Sequence, residues 1–134
     1  MDIPNQKLIP FLTFSGNAEE AMRYYEQVFG AKVESVTYFE EGQQGDVGKV
    51  INGLMDFDGI KLMFMDMAAA FPVPAFSWAT SLLLTFPDEP SFDAAFAGIS
   101  ASGTVMMGPE PVNGLRKCAW VTDKFGVTWQ LVWA

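Results

Sequence analysis

Histidine is absent from this chain of 134 residues. Its absence excludes the most common general base, the most common metal-binding side chain, and the Ser–His and Cys–His nucleophile pairs. The metal-binding motifs that are written with histidine are excluded for the same reason. Any catalysis by this chain would have to use carboxylates, lysine, tyrosine, its one cysteine or an ion held by oxygen ligands.

Cysteine, basic residues and long apolar runs are also scarce. The single cysteine, Cys118, excludes an internal disulfide. Eight Lys and Arg against sixteen Asp and Glu give a formal net charge of −8, which argues against a nucleic-acid partner because phosphate binding needs a positive surface. No apolar run approaches the roughly 18 residues of a membrane span, and the first residues lack signal-peptide features. We therefore expect a cytoplasmic protein without a membrane partner.

Apolar residues, by contrast, make up 50% of the chain, and one pattern occurs twice. One copy, LTFSGNAEEAMRYY, starts at residue 12, and the other, LTFPDEPSFDAAF, starts at residue 84. Each copy reads as a buried strand followed by a helix. Asn17 and Glu20 fit a capping box at the first helix start, whereas Asp88 followed by Pro90 marks the second.

The stretches after each helix predict further strands, because apolar and polar residues alternate there. Asp58-Gly59 predicts a tight primed turn between two of these strands. Residues 109–114 predict a loop, and the apolar connector at residues 67–78, MAAAFPVPAFSW, is expected to pack on something. The predicted order is therefore β-α-β-β-β, a connector, and β-α-β-β-β again.

This repeated order predicts an internal duplication. Val33 and Val105 fall at matching places, and IKLMFM superposes on VTWQLV when Gly59 is placed on Gly126. We predict an α+β fold in which residues 1–134 form a single domain of two halves, about 7–66 and 79–134. One helix covers only one face of its sheet, so the other faces of two curved mixed sheets would enclose a trough for a ligand.

Three stretches carry a family pattern: FSGNAEEAMRYYEQVFGAKV from residue 14, FDGIKLMFMD from residue 57 and WVTDKFGVTWQLV from residue 120. They resemble the PhnB-like branch, also described as demethylubiquinone methyltransferase-like, of the vicinal oxygen chelate superfamily. That superfamily includes glyoxalases, bleomycin-resistance proteins, extradiol dioxygenases and fosfomycin-resistance enzymes. The resemblance covers nearly the whole chain and implies paired βαβββ modules, a small-molecule ligand and a homodimer.

The resemblance also implies where a metal would bind. Metal-using members carry ligands, typically His, His and Glu, on the first strand of each half and on the last strand. The matching places in this chain hold Ile9 or Pro10, Ser81 and Gln130. Ile and Pro offer no side-chain donor atom, and a neutral amide or hydroxyl binds divalent ions weakly. We therefore expect neither a metal at these positions nor another cofactor.

Strand alternation groups the remaining candidates on the side of the sheets that faces away from the helices. The candidate ligand-binding residues are Gln130, Ser81, Trp120, Arg116, Met63, Thr13, Phe11, Trp78 and Cys118. Together they suit an apolar or aromatic ligand, with Arg116 available for one acidic group.

Each of these candidates also has a structural alternative. Gln130 could satisfy a buried backbone group, Arg116 could be a solvated strand-end residue, and the tryptophans could fill the core or a dimer interface. Cys118 could be a packed thiol, because no histidine activates it. Asp56, Asp58 and Asp66 could assemble an ion site, but as residues that flank a turn they are expected to be solvated charges.

The sequence therefore predicts a small-molecule-binding protein without the usual metal triad. The alternative is an enzyme on the same fold, either metal-free or of the lyase or oxygenase type with a rebuilt metal site. A literal methyltransferase is less favoured, because no Gly-rich loop of the cofactor-binding kind follows a strand. The predicted topology is also not a doubly wound sheet.

Overall fold

A computed structural model describes residues 3–134 of the chain. The chain divides into two compact units, the first ending at Pro74 and the second running from Ala75 to Ala134. Each unit contains one helix of 12 residues and one four-stranded mixed sheet. Within residues 3–134, neither helix is long and apolar enough to cross a membrane.

The first unit follows the predicted β-α-β-β-β order. Its elements are β1 (Phe11–Phe14), α1 (Ala18–Phe29), β2 (Lys32–Tyr38), β3 (Val50–Phe57) and β4 (Ile60–Asp66). The strand order across the sheet is β1-β4-β3-β2, with β1 parallel to β4 and the other neighbours antiparallel. The β3–β4 turn is the predicted primed turn, because Asp58 and Gly59 both have positive φ, of 52° and 99°.

Helix α1 packs its apolar face against β2, β3 and β4 of this sheet. Met22 and Tyr25 are completely buried on that face, and the Tyr25 ring lies 6.2 Å from the Phe64 ring on β4. Gly53 on β3 permits the close approach of the helix, since a Cβ added there would lie 2.5 Å from Met22 Sδ. The helix ends at Gly30, whose φ of 69° is the left-handed C-cap that its sequence predicts.

The start of α1 differs from the prediction. The Asn17 side chain makes no capping hydrogen bond, so the predicted capping box is wrong. Instead, Asp66 at the end of β4 accepts hydrogen bonds through Oδ1 from the Gly16 and Ala18 backbone N–H groups, at 2.9 and 3.0 Å. Its Oδ2 accepts one from the Val50 N–H at 2.9 Å. Asp66 is only 2% exposed, so the expectation that it is a solvated charge is also wrong.

The second unit repeats the same order. Its elements are β5 (Ser81–Thr85), α2 (Glu89–Ser100), β6 (Thr104–Val112), β7 (Leu115–Thr122) and β8 (Thr128–Trp133). The strand order is β5-β8-β7-β6, with β5 parallel to β8 and the other neighbours antiparallel. Helix α2 packs on β7 and β8. Its N-cap is Asp88, as predicted, because the Asp88 carboxylate accepts a hydrogen bond from the Ser91 N–H at 2.9 Å.

One prediction about an irregular segment needs correction. The loop predicted at residues 109–114 is shorter, because β6 continues to Val112 and only Asn113 and Gly114 form the turn, with φ of 47° and 87°. Proline is tolerated in β6 because this strand lies at the sheet edge, where one side of the backbone needs no partner. In the connector, Phe71 and Trp78 are 65% and 64% exposed, whereas Phe76 is half-buried.

Candidate ligand-binding faces of the two sheets

A row of directly opposed residues crosses all four strands of the second sheet and includes Gln130 on the last strand, β8. Leu83 on β5 lies opposite Gln130 on β8, which lies opposite Trp120 on β7, which in turn lies opposite Met107 on β6. Opposed residues on neighbouring strands point to the same face of a sheet. This face is the one that alternates with Trp129 and is turned away from α2, as the sequence alternation predicts.

A hydrogen bond joins the two positions that the family resemblance singled out in this unit. Gln130 Nε2 donates to Ser81 Oγ at 2.8 Å, and both side chains are half-buried. No residue within 3–134 donates a hydrogen bond to Gln130 Oε1. The pair therefore presents one amide oxygen that can accept and one hydroxyl hydrogen that can be donated.

More hydroxyl groups continue this polar strip along the same face. Thr128 lies opposite Ser81, and its Oγ1 is 2.8 Å from Oγ1 of Thr122. The Thr122 hydroxyl also lies 3.3 Å from Met106 Sδ at the sheet edge. Thr128 is almost completely buried, whereas Leu83, beside Gln130, is 53% exposed. The face thus combines a satisfied polar strip with apolar surface that a small molecule can reach.

Two other candidates of this unit are used in different ways. The Arg116 guanidinium lies over the ring of Trp133, 4.7 Å from its centroid, and Trp133 alternates with Gln130 onto the opposite face. The structure therefore does not bring the Arg116 charge to the Ser81–Gln130 pair. Trp78 lies before β5, outside the sheet, with its ring exposed.

Cys118 is on the same face as Gln130 but is 5% exposed. Burial, followed by the nearby negative charge of Glu110, raises the pKa of the Cys118 thiol. A thiol with a raised pKa is protonated at neutral pH and is a poor nucleophile. The packed-thiol alternative for this residue is thus the one that its surroundings favour.

The candidates of the first unit share one face of their own sheet. Phe11 lies opposite Met63, and Thr13 lies opposite Met65, on the parallel pair β1 and β4. Met63 is 2% exposed and Phe11 is 43% exposed. This face is almost entirely apolar at the positions that correspond to the polar pair of the second unit.

Sequence reasoning missed one residue on this face. Asn52 on β3 alternates with Gly53, which faces α1, so Asn52 points to the same side as Met63 and Met65. Its Oδ1 is buried and has no hydrogen-bond partner among residues 3–134. The signal in the sequence is a lone asparagine in the apolar strand VINGLM, where asparagine is disfavoured.

A depression of about 290 Å³ lies elsewhere in the first unit, at the start of α1. Its walls include Asn17, Glu19, Lys49 and Asp66. Asp66 is fully engaged with backbone N–H groups, and Lys49 Nζ donates to the Gly16 carbonyl at 3.0 Å. These wall groups already bind the chain itself, so the depression is part of the helix anchor.

Residues 6–132 match the family model of the 3-demethylubiquinone-9 3-methyltransferases. The chain belongs to this family. A structure from Bacillus cereus, described as a putative 3-demethylubiquinone-9 3-methyltransferase and PhnB protein, is 32% identical. The match covers 96% of this chain and 100% of that one, with a TM-score of 0.85. The PhnB-like resemblance is therefore confirmed. Comparison with curated protein sequences gave no match.

Other solved structures share the fold at lower identity. A Pseudomonas aeruginosa protein is 24% identical over 96% of this chain and 98% of that one, with a TM-score of 0.85. The fosfomycin resistance protein FosX from Listeria monocytogenes, in complex with Mn(II) and a phosphonic acid, is 10% identical over 98% and 94%, with a TM-score of 0.70. The predicted α+β fold of two βαβββ modules, typical of the vicinal oxygen chelate superfamily, is confirmed.

The residues at the metal positions that the resemblance implied do not fit a divalent ion. Gln130 and Ser81 are neutral. The Gln130 side chain points its amide nitrogen, not its amide oxygen, at Ser81, so the two side chains do not present a pair of oxygen ligands to one ion. The third position, Ile9 or Pro10, has no donor atom. Across the described part of the chain, no three Cys, Asp or Glu side chains converge in a way that could hold a metal.

Proposed function

We propose that this protein binds a small apolar or aromatic molecule on the Ser81–Gln130 face and does so without the superfamily metal triad. The observation that carries the proposal is the 2.8 Å hydrogen bond between these side chains, beside reachable apolar surface. This bond fixes the orientation of the Gln130 amide. Its oxygen accepts no hydrogen bond from residues 3–134 and is therefore available to a ligand. A pre-oriented polar pair within an apolar surface is typical of a small-molecule site.

The two side chains divide the recognition between them. Gln130 Oε1 accepts a hydrogen bond from the ligand, and Ser81 Oγ, which already accepts one from Gln130, donates its own hydrogen. Leu83, Trp120 and Met107 supply the apolar contact on the same row of the sheet. The pair orients the ligand, while burial of apolar surface provides most of the affinity.

The test is calorimetric titration of the purified full chain with a panel of aromatic phenols, amides and acids in the presence of EDTA. We expect at least one compound to bind and to raise the melting temperature without metal. Gln130→Leu removes one hydrogen bond, so we expect about 5- to 10-fold weaker binding of that compound. Gln27→Leu, the same change at an exposed position of α1, is the matched control and should bind normally.

Binding that requires Mn²⁺ or Zn²⁺, or a stoichiometric metal in the purified protein, would contradict this proposal. It would favour the alternative, an enzyme on the same fold with a rebuilt metal site. Equal binding by the Gln130→Leu and Gln27→Leu variants would place the ligand elsewhere.

Methyl transfer is a second candidate because the family is named for it. Nucleotide-like cofactors commonly bind to a doubly wound parallel sheet. Residues 3–134 instead form two mixed four-stranded sheets. We therefore expect no heat of binding with S-adenosylmethionine at millimolar concentration. A saturable titration would reverse the order of the two candidates.

The proposal includes a homodimer in the cytoplasm, with both units of a chain belonging to one domain. The family assignment supports the dimer, and the division of the chain at residue 74, inside the connector predicted at residues 67–78, supports the predicted boundary between the halves. Native mass spectrometry should give twice the mass of one chain. If residues 1–74 and 75–134 each fold and melt separately, the single-domain part of the proposal is wrong.

A further inference from the structure

Asn52 is a polar residue beside the apolar row of Phe11, Met63 and Leu54 on the first sheet. It occupies β3 of the first unit, and its buried Oδ1 accepts no hydrogen bond from residues 3–134. Buried polar groups in folded proteins are nearly always paired, so an unpaired one needs a physical explanation. A binding function is one such explanation, because a ligand can supply the missing donor.

The local backbone gives a second reason to single out this residue. Thr37 lies opposite Asn52, but the next residue of β2, Tyr38, lies opposite Val50. Ile51 is thus an extra residue in β3, and the register shift that it creates is a β-bulge directly beside Asn52. Bulges redirect side chains and are over-represented next to functional sites.

The surroundings of Asn52 define what could bind there. Phe11, Met63 and Leu54 form one opposed row across the same face, and Thr13 lies opposite Met65 in the neighbouring row. The charged groups nearest to this face lie farther along the strands, where Lys61 pairs with Asp56 at 3.2 Å and also with Glu34 on β2. An apolar surface with one unpaired acceptor and no free charge nearby suits a neutral molecule.

We propose that Asn52 Oδ1 accepts a hydrogen bond from a small neutral molecule bound on the first sheet. The ligand carries a hydroxyl or amide N–H donor on an apolar body that contacts Thr13, Met65 and Phe11, which are half-buried or exposed. This site lies in the first unit and does not depend on the Ser81–Gln130 pair. The two proposals therefore fail separately.

The experiment follows the side-chain amide signals of the ¹⁵N-labelled full chain by NMR. Phenol and anisole are the probes, because they share a ring and differ in the hydroxyl donor. We expect millimolar phenol to shift the Asn52 amide signals and anisole to leave them nearly unchanged. Asn52→Leu keeps the side-chain shape and identifies the Asn52 side-chain signals by their loss. It should also abolish the phenol-induced shifts of the backbone amide signals of the neighbouring residues Thr37 and Met65.

Asn5→Leu, at an exposed position near the start of the chain, is the matched control and should keep the phenol response. Gln130→Leu should keep it as well, because that variant affects only the second sheet. If phenol shifts Gln130 but not Asn52, the proposed function is supported and this inference is overturned. Equal shifts of Asn52 by phenol and anisole overturn it too, because the donor would then contribute nothing.

Stability without ligand provides an independent readout. An unpaired acceptor costs stability in the free protein, so we expect Asn52→Leu to melt at a higher temperature than the parent chain. A clearly lower melting temperature would mean that the Asn52 side chain already stabilises the free protein. That result would overturn the inference whatever the variant binds.

Discussion

The two units share one order of helices and strands but differ at the positions where a ligand would bind. In the first unit, Phe11 lies opposite Met63, whereas in the second, Leu83 lies opposite Gln130. The Gln130 amide is further tied to Ser81, for which the first unit has Ile9 by the sequence repeat. The backbone arrangement is thus the same in the two units, but one sheet face carries a hydrogen-bonded pair where the other has the apolar residues Ile9 and Met63.

The two helices also differ in how their first turns are capped. The start of α1 is capped by Asp66 at the end of β4, 48 residues beyond Ala18 in the chain, whereas α2 is capped by Asp88, the residue directly before it. A local cap depends on neighbouring residues alone, but the Asp66 cap requires the sheet to be in place. Substituting each capping carboxylate in turn shows how much the stability of the protein depends on each kind of cap.

Asp66→Ala should give the largest effect. The change leaves the Gly16, Ala18 and Val50 N–H groups without their acceptor at a site that is 2% exposed. Because each buried unpaired group costs about 1–3 kcal/mol, we expect a loss of about 3 kcal/mol or more in the free energy of unfolding. Urea denaturation measures it. A loss below about 1 kcal/mol would show that α1 does not depend on this anchor.

Asp123→Ala and Asp56→Ala compare the corresponding turns of the two units. Asp123 is 4% exposed and accepts from the Phe125 and Val127 N–H groups and from Trp129 Nε1, at 2.8, 3.0 and 2.9 Å. Asp56 accepts only one turn hydrogen bond, from the Gly59 N–H at 2.9 Å. We expect a loss of about 3 kcal/mol for Asp123→Ala and about 1 kcal/mol for Asp56→Ala by urea denaturation. Equal losses would contradict the difference in burial.

The Asp88 cap should make stability depend on pH. Hydrogen bonds from the Ser91 hydroxyl and backbone N–H lower the pKa of Asp88 below its ordinary value of 3.8. Since the folded-state pKa is the lower one, the cap stabilises the protein fully above pH 3.8 and is lost as pH falls through the folded-state value. Asp88→Asn should therefore flatten the acid end of the stability curve. Melting temperatures at pH 3 to 6 for both chains test this, and parallel curves would contradict it.

Gln130→Met should give the smallest effect on folding. It places in the second unit the residue that Met63 provides in the first, and it removes only the half-buried bond to Ser81. We expect the free energy of unfolding to change by less than about 1 kcal/mol while ligand affinity falls. Urea denaturation and calorimetric titration of the same preparation separate the two quantities. A larger loss of stability would mean that Gln130 serves the fold rather than a ligand.

Most of the fold could be predicted from the sequence because its signals are local. Alternation placed Gln130 and Trp120 on one face, Asp58-Gly59 gave the turn type, and Asp88 gave the second helix start. The features that the sequence analysis missed depend on tertiary contacts. The Asp66 cap joins residues that are distant in the chain.

The extension of β6 through its prolines depends on that strand being at an edge, which only the completed sheet defines. Asn52 and Arg116 show the same limit at the candidate sites. The bulge beside Asn52 and the stacking of Arg116 on Trp133 depend on strand register, which no short sequence pattern reports.

The position of Asp66 in the chain has a consequence for the order in which the protein can form. As a nascent chain leaves the ribosome, α1 emerges long before residue 66, so its first N–H groups donate to water until nearly all of the first unit has been synthesised and Asp66 is available. Helix α2 emerges immediately after residue 88, which already carries its cap. The first helix is therefore completed together with its whole sheet, whereas the second can begin to form as soon as it appears.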